Sequence, residues 1–350
     1  MIPQRKFIDC HIHLCEWFDQ SGKSFYEILD DLQQKTRPEK ICVVASEYLD
    51  LGGVEQNILT ALYKLHNPTA YANGCIVFPS APVTMPLPDG MDALTQYEEL
   101  MEIGIDGLKL LCKSDIEKLL ALPINHSFYD EMFAKAEKDQ TPILWHVADP
   151  ESFWSPERRG RNGYSDGTYP SFETLFRQTF DVLKKHPRLA VTFAHFLFLS
   201  DRPEILESIF DHYENVSIDV TPGTEMYVNF SGDLPFYRAF FEKHADRILF
   251  GTDATVPIRA DAEERIQSVY RAMVTGDTVP MGRARRPVQG LALPPDVADR
   301  VLRKNFLQRW GKAPKPINRN ALKAYIEKYA HMISHGETKK QILLAAKSLV

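Results

Sequence analysis

No apolar run in the chain approaches the roughly 18 residues that a membrane-spanning helix requires, so a helical membrane protein is excluded. Basic charge is not in excess either: 41 Lys and Arg face 47 Asp and Glu, a net charge of -6, which leaves no stripe for nucleic acid. The one basic cluster, "RARR" at 283–286, is short and reads as a solvated loop or an anion contact. Cysteine is sparse: the five all precede residue 113 and none forms a CxxC pair, which argues against a disulfide framework or a zinc ribbon and for reduced thiols. The start, "MIPQRKFIDC", lacks the apolar segment of a signal peptide, so export is not expected and a cytoplasmic location is. Also missing is a Gly-rich phosphate loop after the first strand, the usual mark of a doubly wound dinucleotide-binding sheet.

With 350 residues, 44% hydrophobic and 25% charged, the chain can build a large core as one domain or two. Eight apolar, β-rich runs follow one another: "FIDCHIHL" (7–14), "ICVVASEY" (41–48), "AYANGCIVF" (70–78), "DGLKLLC" (106–112), "PILWHVA" (142–148), "LAVTFAHF" (189–196), "VSIDVT" (216–221) and "ILFGTD" (248–253). Segments of helical period separate them, the first opening with a capping box from Ser24 to Glu27. Eight strands alternating with helices predict a (β/α)8 TIM barrel, with the open doubly wound sheet as the runner-up. The barrel is expected over residues 1–311. Residues 312–350 follow a Pro-interrupted connector, "KAPKPIN", and carry two helical patterns, expected to pack on the barrel flank, with a homo-oligomer contact as the alternative.

In "FIDCHIHL", His11 and His13 are two apart, so on a strand both imidazoles face the same space. Two surface histidines on an edge strand would give the same spacing. The apolar neighbours Phe7, Ile8, Ile12 and Leu14 favour a strand buried on both faces. In this fold active sites lie at the C-terminal ends of the strands. His66, His186, His212 and His244 fall near helix ends at the opposite face, His126 reads as a cap, and His331 and His335 lie in the tail. That leaves His11, His13, His146 and His195, each at a strand's C-terminal end, joined there by Asp253 after "ILFGT". An Asp in that position also caps helices. Four imidazoles and a carboxylate converging from strands one, five, six and eight point to a metal site with an acid-base group beside it.

These segments, "DCHIHL", "ILWHVADP", "HPRLAVTFAHF" and "ILFGTDA", with the terminal "VLRKNFLQRWG", span 7–311 and resemble the amidohydrolase superfamily. Within it the resemblance is to the amidohydrolase-related family that includes aminocarboxymuconate semialdehyde decarboxylase-like enzymes and predicted metal-dependent hydrolases. The resemblance implies that His11, His13, His146 and Asp253 bind one divalent metal, zinc or else manganese, and that His195 is the acid-base group. Lys109, in "IDGLKLL", stands where binuclear members carry a carbamylated lysine. In that case His146 and His195 would hold a second metal and Asp253 would keep the acid-base role. Lys109 could instead remain an ammonium and bind a substrate carboxylate.

The ligand set predicts hydrolysis of an amide, cyclic amide or lactone of a small, anionic substrate through metal-activated water, with Asp253 or His195 moving the proton. Non-oxidative decarboxylation of an aromatic or dienoic acid is the alternative, and a non-catalytic metal-binding barrel is a second one. The long loop after strand five, "DPESFWSPERRGRNGYSDGTYP", supplies Trp154, Arg158, Arg159, Arg161, Tyr164 and Tyr169, groups suited to a planar anion or to packing a lid. Trp154, Arg158 and Arg161 are the candidate substrate contacts, with Lys109. Glu47, Glu225 and Tyr227 are expected near the mouth without assigned roles.

Overall fold

A computed structural model describes residues 5–46, 52–78, 91–158, 163–223, 225–257, 261–282, 286–333 and 336–349. One parallel sheet holds β1 (Ile8–Leu14), β2 (Lys40–Val44), β3 (Tyr71–Cys75), β4 (Gly107–Cys112), β5 (Ile143–Val147), β6 (Val191–Phe193), β7 (Val216–Asp219), β8 (Ile248–Leu249) and β9 (Ala254–Val256). β8 and β9 are two halves of one interrupted strand. β8 pairs with β7 and β9 pairs with β1, while Cys10 N donates to the Phe250 carbonyl and Asp253 N to the His11 carbonyl between them. The sheet thereby closes, and the expected TIM barrel is the observed fold. Helices on the outside follow the predicted segments. Helix Phe25–Thr36 starts at the Ser24 capping box, and Gly53–His66, Ala93–Ile103 and Phe172–Lys185 bury apolar faces on the strands. No described helix is long and apolar enough to cross a membrane, and all five cysteines are buried and free.

Inside the barrel, Ile8, Cys10, Cys42, Tyr71, Leu144 and Leu249 pack with Phe306 and Trp310 as a cluster of their own. Ile8 and Tyr71 begin their strands, so Phe306 and Trp310, stacked at 4.8 Å, close the N-terminal end. The Trp310 indole donates to Asn73 Oδ1 at 2.9 Å. Gly107 lies beside this contact, and a Cβ there would come within 2.6 Å of both Asn73 Oδ1 and the Pro142 carbonyl. The C-terminal extension lies on the flank: helix Arg319–Tyr329 brings the Tyr325 hydroxyl to Asn57 Nδ2 (3.0 Å) and Lys328 and Tyr329 to Glu99 (2.6 and 2.9 Å).

Three departures from the expected strands concern the site. In β1 the pairing slips between Asp9 and Ile12, a bulge that puts Ile8 and Cys10 on the inner face and then His11 and His13 on it as well. β6 ends at Phe193 because His195, Phe196, Leu197 and Phe198 all take left-handed φ values of 54–58°. The eighth strand breaks at Gly251, Thr252 and Asp253, with Asp253 at φ 54°.

Candidate metal centre and adjoining cavity

His11 and His13 are buried, with their Nε2 atoms 3.0 Å apart. The other nitrogen of each ring fixes its tautomer. His11 Nδ1 faces Asp219 Oδ2 at 3.0 Å and His13 Nδ1 faces the Val44 carbonyl at 2.9 Å, so both Nδ1 atoms carry the hydrogen and donate it. Both Nε2 lone pairs therefore point into the same space. Two such lone pairs at 3.0 Å repel unless a cation or a proton lies between them. Asp253 Oδ1 approaches from the broken eighth strand, 3.4 Å from His13 Nε2 and 4.0 Å from His11 Nε2. Donor atoms of His11, His13 and Asp253 all lie within 4.8 Å of one another. Two imidazoles presenting lone pairs and one carboxylate are the donor chemistry of a divalent ion, and these residues fit one.

Lys109, on β4, reaches the same space: its ammonium lies 3.0 Å from His11 Nε2. Burial pushes its pKa down to about 8. His146 and His195 form the other half of the cluster. His146 Nε2 donates to the Ala148 carbonyl (2.9 Å), which leaves its Nδ1 as an acceptor, and His195 Nε2 lies 3.1 Å from that Nδ1. His195 must then carry its hydrogen on Nε2, leaving a lone pair on Nδ1, an atom with no hydrogen-bond partner among the described residues. Burial holds both imidazoles well below the usual histidine range, so both are neutral at pH 7. The ring centroids of His11 and His195 are 5.8 Å apart, so the four imidazoles form one contiguous row. His146 is in contact with His195, while the close donor group consists of His11, His13 and Asp253.

Four consecutive left-handed residues are unfavourable, at roughly 1–2 kcal/mol each for side chains with a Cβ. Two features offset this after β6. Asp219 Oδ1 accepts from His195 N at 2.8 Å, and Phe196 is buried against Phe230, Phe240 and Phe241. The turn lays Phe198 flat on the His195 ring, with centroids 5.0 Å apart.

Two supporting residues carry no sequence motif. Asp219, fully buried at the end of β7, orients the His11 ring with one oxygen and, with the other, accepts from the backbone of His195 and of Thr221 (3.0 Å). Burial raises its carboxyl pKa. An acid inside the otherwise uncharged "VSIDV" was the available signal. Arg265, on helix Ala262–Val274, reaches Asp253. Nothing in its local sequence marks it.

A cavity of about 260 Å³ opens beside His195, lined by Glu151, Ser152, Phe198, Asp201, Glu225 and Asn229 among others. Glu225 Oε1 accepts from Ser152 Oγ at 3.0 Å, and Glu151 pairs with Arg202 at 2.9 Å. Tyr227 is buried and donates to the Val220 carbonyl. Of the strand-five loop, Trp154 donates to the Pro170 carbonyl, Tyr164 donates to Asp149, and the Arg158 guanidinium lies over the Phe153 ring at 4.4 Å. Neither Trp154 nor Arg158 lines this cavity. Arg159, Arg161 and Glu47 lie outside the described residues.

The sequence matches the family model described as amidohydrolase over residues 8–305, which takes in every strand and the whole donor group. The chain belongs to the amidohydrolase family. No curated protein matches it. Among solved structures, the amidohydrolase chain is similar to an uncharacterised TIM-barrel protein from Bordetella bronchiseptica (18% identity, 88% of this chain and 100% of that one, TM-score 0.56). It is also similar to a putative amidohydrolase from Staphylococcus aureus (13% identity, 88% and 100%, TM-score 0.53). A third is 2,6-dihydroxybenzoate decarboxylase from Rhizobium (15% identity, 88% and 99%, TM-score 0.51). At these identities the likeness is one of fold. Amidohydrolases generally bind divalent metal, and the His11, His13 and Asp253 group in this amidohydrolase fits that property.

Proposed function

We propose that this amidohydrolase is a metal-dependent enzyme that hydrolyses an amide, cyclic amide or lactone, with one divalent ion, zinc or else manganese, held by His11, His13 and Asp253; His146, implied by the resemblance as a fourth ligand, has both ring nitrogens engaged, by the Ala148 carbonyl and by His195, and supports His195 instead. When bound, the ion would supply Lewis acidity, polarising a carbonyl and acidifying water. The observation that carries the reading is the state of His195. It is neutral, its Nδ1 lone pair has no partner among the described residues, and it stands between the donor group and the cavity. A group so placed can take a proton from attacking water and return it to a leaving nitrogen or oxygen. His146 fixes the ring through His195 Nε2, and Asp219 holds the backbone below it. Phe198 covers one face of the imidazole and limits water there.

The cavity also bears on the substrate. Glu151, Asp201 and Glu225 line it, and no Lys or Arg is among its described lining residues. Arg202 pairs with Glu151 and Asp201 (2.9 and 3.6 Å), which leaves Glu225 as the carboxylate there that disfavours a second substrate carboxylate. This narrows the expectation of an anionic substrate to the reacting end, where Lys109 stands. Lys109 is also what favours the second reading, decarboxylation, because its buried ammonium beside His11 could pair with a substrate carboxylate.

The test is a screen of zinc- and manganese-loaded protein on cyclic amides, lactones and aromatic or dienoic acids, following both ring opening and carbon dioxide release. Hydrolysis without carbon dioxide supports the proposal. Carbon dioxide from an acid with no hydrolysis of any amide or lactone replaces it with the second reading.

A further inference from the structure

Arg265 belongs to the first turn of helix Ala262–Val274 and is 9% exposed. Both facts disfavour a guanidinium there, since burial strips its water and a helix N-terminus already carries partial positive charge. A buried cation in such a place needs acceptors. It finds them at the break in the eighth strand: Nη1 lies 3.2 Å from the Asp253 carbonyl, 3.5 Å from the Thr252 carbonyl and 3.5 Å from Asp253 Oδ2. Asp261 Oδ2 is 3.8 Å from Nη2, but that carboxylate is half-exposed.

The same few residues are fixed from the other side by β1, because Asp253 N donates to the His11 carbonyl at 2.8 Å. Asp253 thus sits in its left-handed conformation between β1 and the guanidinium. Its two carboxylate oxygens are divided accordingly, with Oδ2 toward Arg265 and Oδ1 toward His13 and His11.

We propose that Arg265 is a positioning residue for the metal centre: it holds the Asp253 backbone turn and one carboxylate oxygen, so that the other oxygen alone is presented to the metal beside His11 and His13. The inference rests on the metal reading above and deepens it. It assigns Asp253 the work of a ligand with one oxygen already engaged by a cation, and leaves proton transfer to His195.

The test uses zinc as the probe and measures its dissociation constant by competition with a chromogenic chelator, for the full chain and for Arg265→Met, Arg265→Lys, Asp253→Ala and the Arg265→Met/Asp253→Ala pair. Partners behind a metal ligand commonly change affinity by about 10- to 100-fold. Arg265→Met is expected to lose affinity in that range, and Arg265→Lys, which keeps the charge without the fork, to fall between it and the unmodified protein. In the Asp253→Ala background Arg265→Met should add no further loss, because the path from Arg265 to the metal runs through Asp253. A purely structural role would weaken zinc equally in both backgrounds and would overturn the proposal. Unchanged affinity in Arg265→Met would overturn it as well. Failure of the metal reading looks different, since the unmodified protein would then bind no zinc at all. Should Arg265→Met not fold, the Arg265→Lys variant in the two backgrounds gives the same comparison.

Discussion

Replacing Asp219 with asparagine separates the stability of this barrel from its metal binding, because the two respond in opposite directions. The carboxylate uses Oδ2 for His11 Nδ1–H and Oδ1 for the backbone N–H groups of His195 and Thr221. An asparagine has one oxygen for these donors. With that oxygen on the two backbone groups, its NH2 faces His11 Nδ1, which must then give up its hydrogen and carry it on Nε2, the atom needed for the metal. A hydrogen bond to a charged group contributes about 1.5–3 kcal/mol against about 0.5–1.5 for a neutral one. The lost difference is therefore about 1–1.5 kcal/mol, close to tenfold in affinity. The tautomer change adds to it, so a 10- to 100-fold weakening is expected. Stability moves the other way. Burial raises the Asp219 pKa, so the proton favours the folded state: the group's stabilising contribution is present below its unfolded pKa and is lost as pH rises through the folded value. In chelator at pH 7, Asp219→Asn should unfold at least as late as the unmodified protein, and that order should shift in favour of the unmodified protein as pH falls toward the ordinary carboxylate range. Zinc titration and thermal unfolding of the metal-free proteins are the two assays. An asparagine variant that binds zinc with unchanged affinity would refute the orienting role.

His195→Ala should retain its metal and lose about 10²- to 10⁴-fold in turnover, the contribution of a positioned proton-transfer group; a metal-free variant would place His195 among the ligands, as in the two-metal arrangement. Because burial keeps the His195 pKa well below 6.5, its basic form persists into acid, so the acid limb of kcat/KM should lie below pH 6.5, and a limb at or above that value would exclude this imidazole as the base. Gly107→Ala, whose new Cβ would meet Asn73 Oδ1 and the Pro142 carbonyl at 2.6 Å, should destabilise the barrel by about 1–3 kcal/mol in denaturant unfolding, and a neutral result would show that the N-terminal plug is looser than it appears.

The barrel was legible because eight apolar runs and the helical segments between them are local patterns, and the position of each histidine relative to a strand end followed from them. The tautomers were not legible. They depend on Val44, Ala148 and Asp219, partners brought close only by strand pairing. The sequence run "LAVTFAHFLFLS" reads as a strand through Phe196. The chain leaves that course at His195, where a left-handed turn is held by an acid from the next strand and by three phenylalanines far along the chain. "ILFGTD" likewise reads as one strand, while the closed barrel divides it between a pairing with β7 and, past Asp253, a pairing with β1. The loop after strand five looked like a source of substrate contacts on composition alone. Its Trp154, Tyr164 and Arg158 are engaged within the loop, while its first residues, Glu151 and Ser152, line the cavity together with Glu225, expected near the mouth, and Asp201, which no pattern marks.

The central claim is that His11 and His13 present their Nε2 lone pairs to one divalent ion. Its most direct test is elemental analysis of the unmodified protein and of His11→Ala/His13→Ala after chelation, reloading with zinc and removal of excess ion, with circular dichroism of both. One zinc per unmodified chain, none in the double variant, and the same barrel spectrum in each are expected, since the apolar core does not depend on these side chains. Stoichiometric zinc in the folded double variant would contradict the claim.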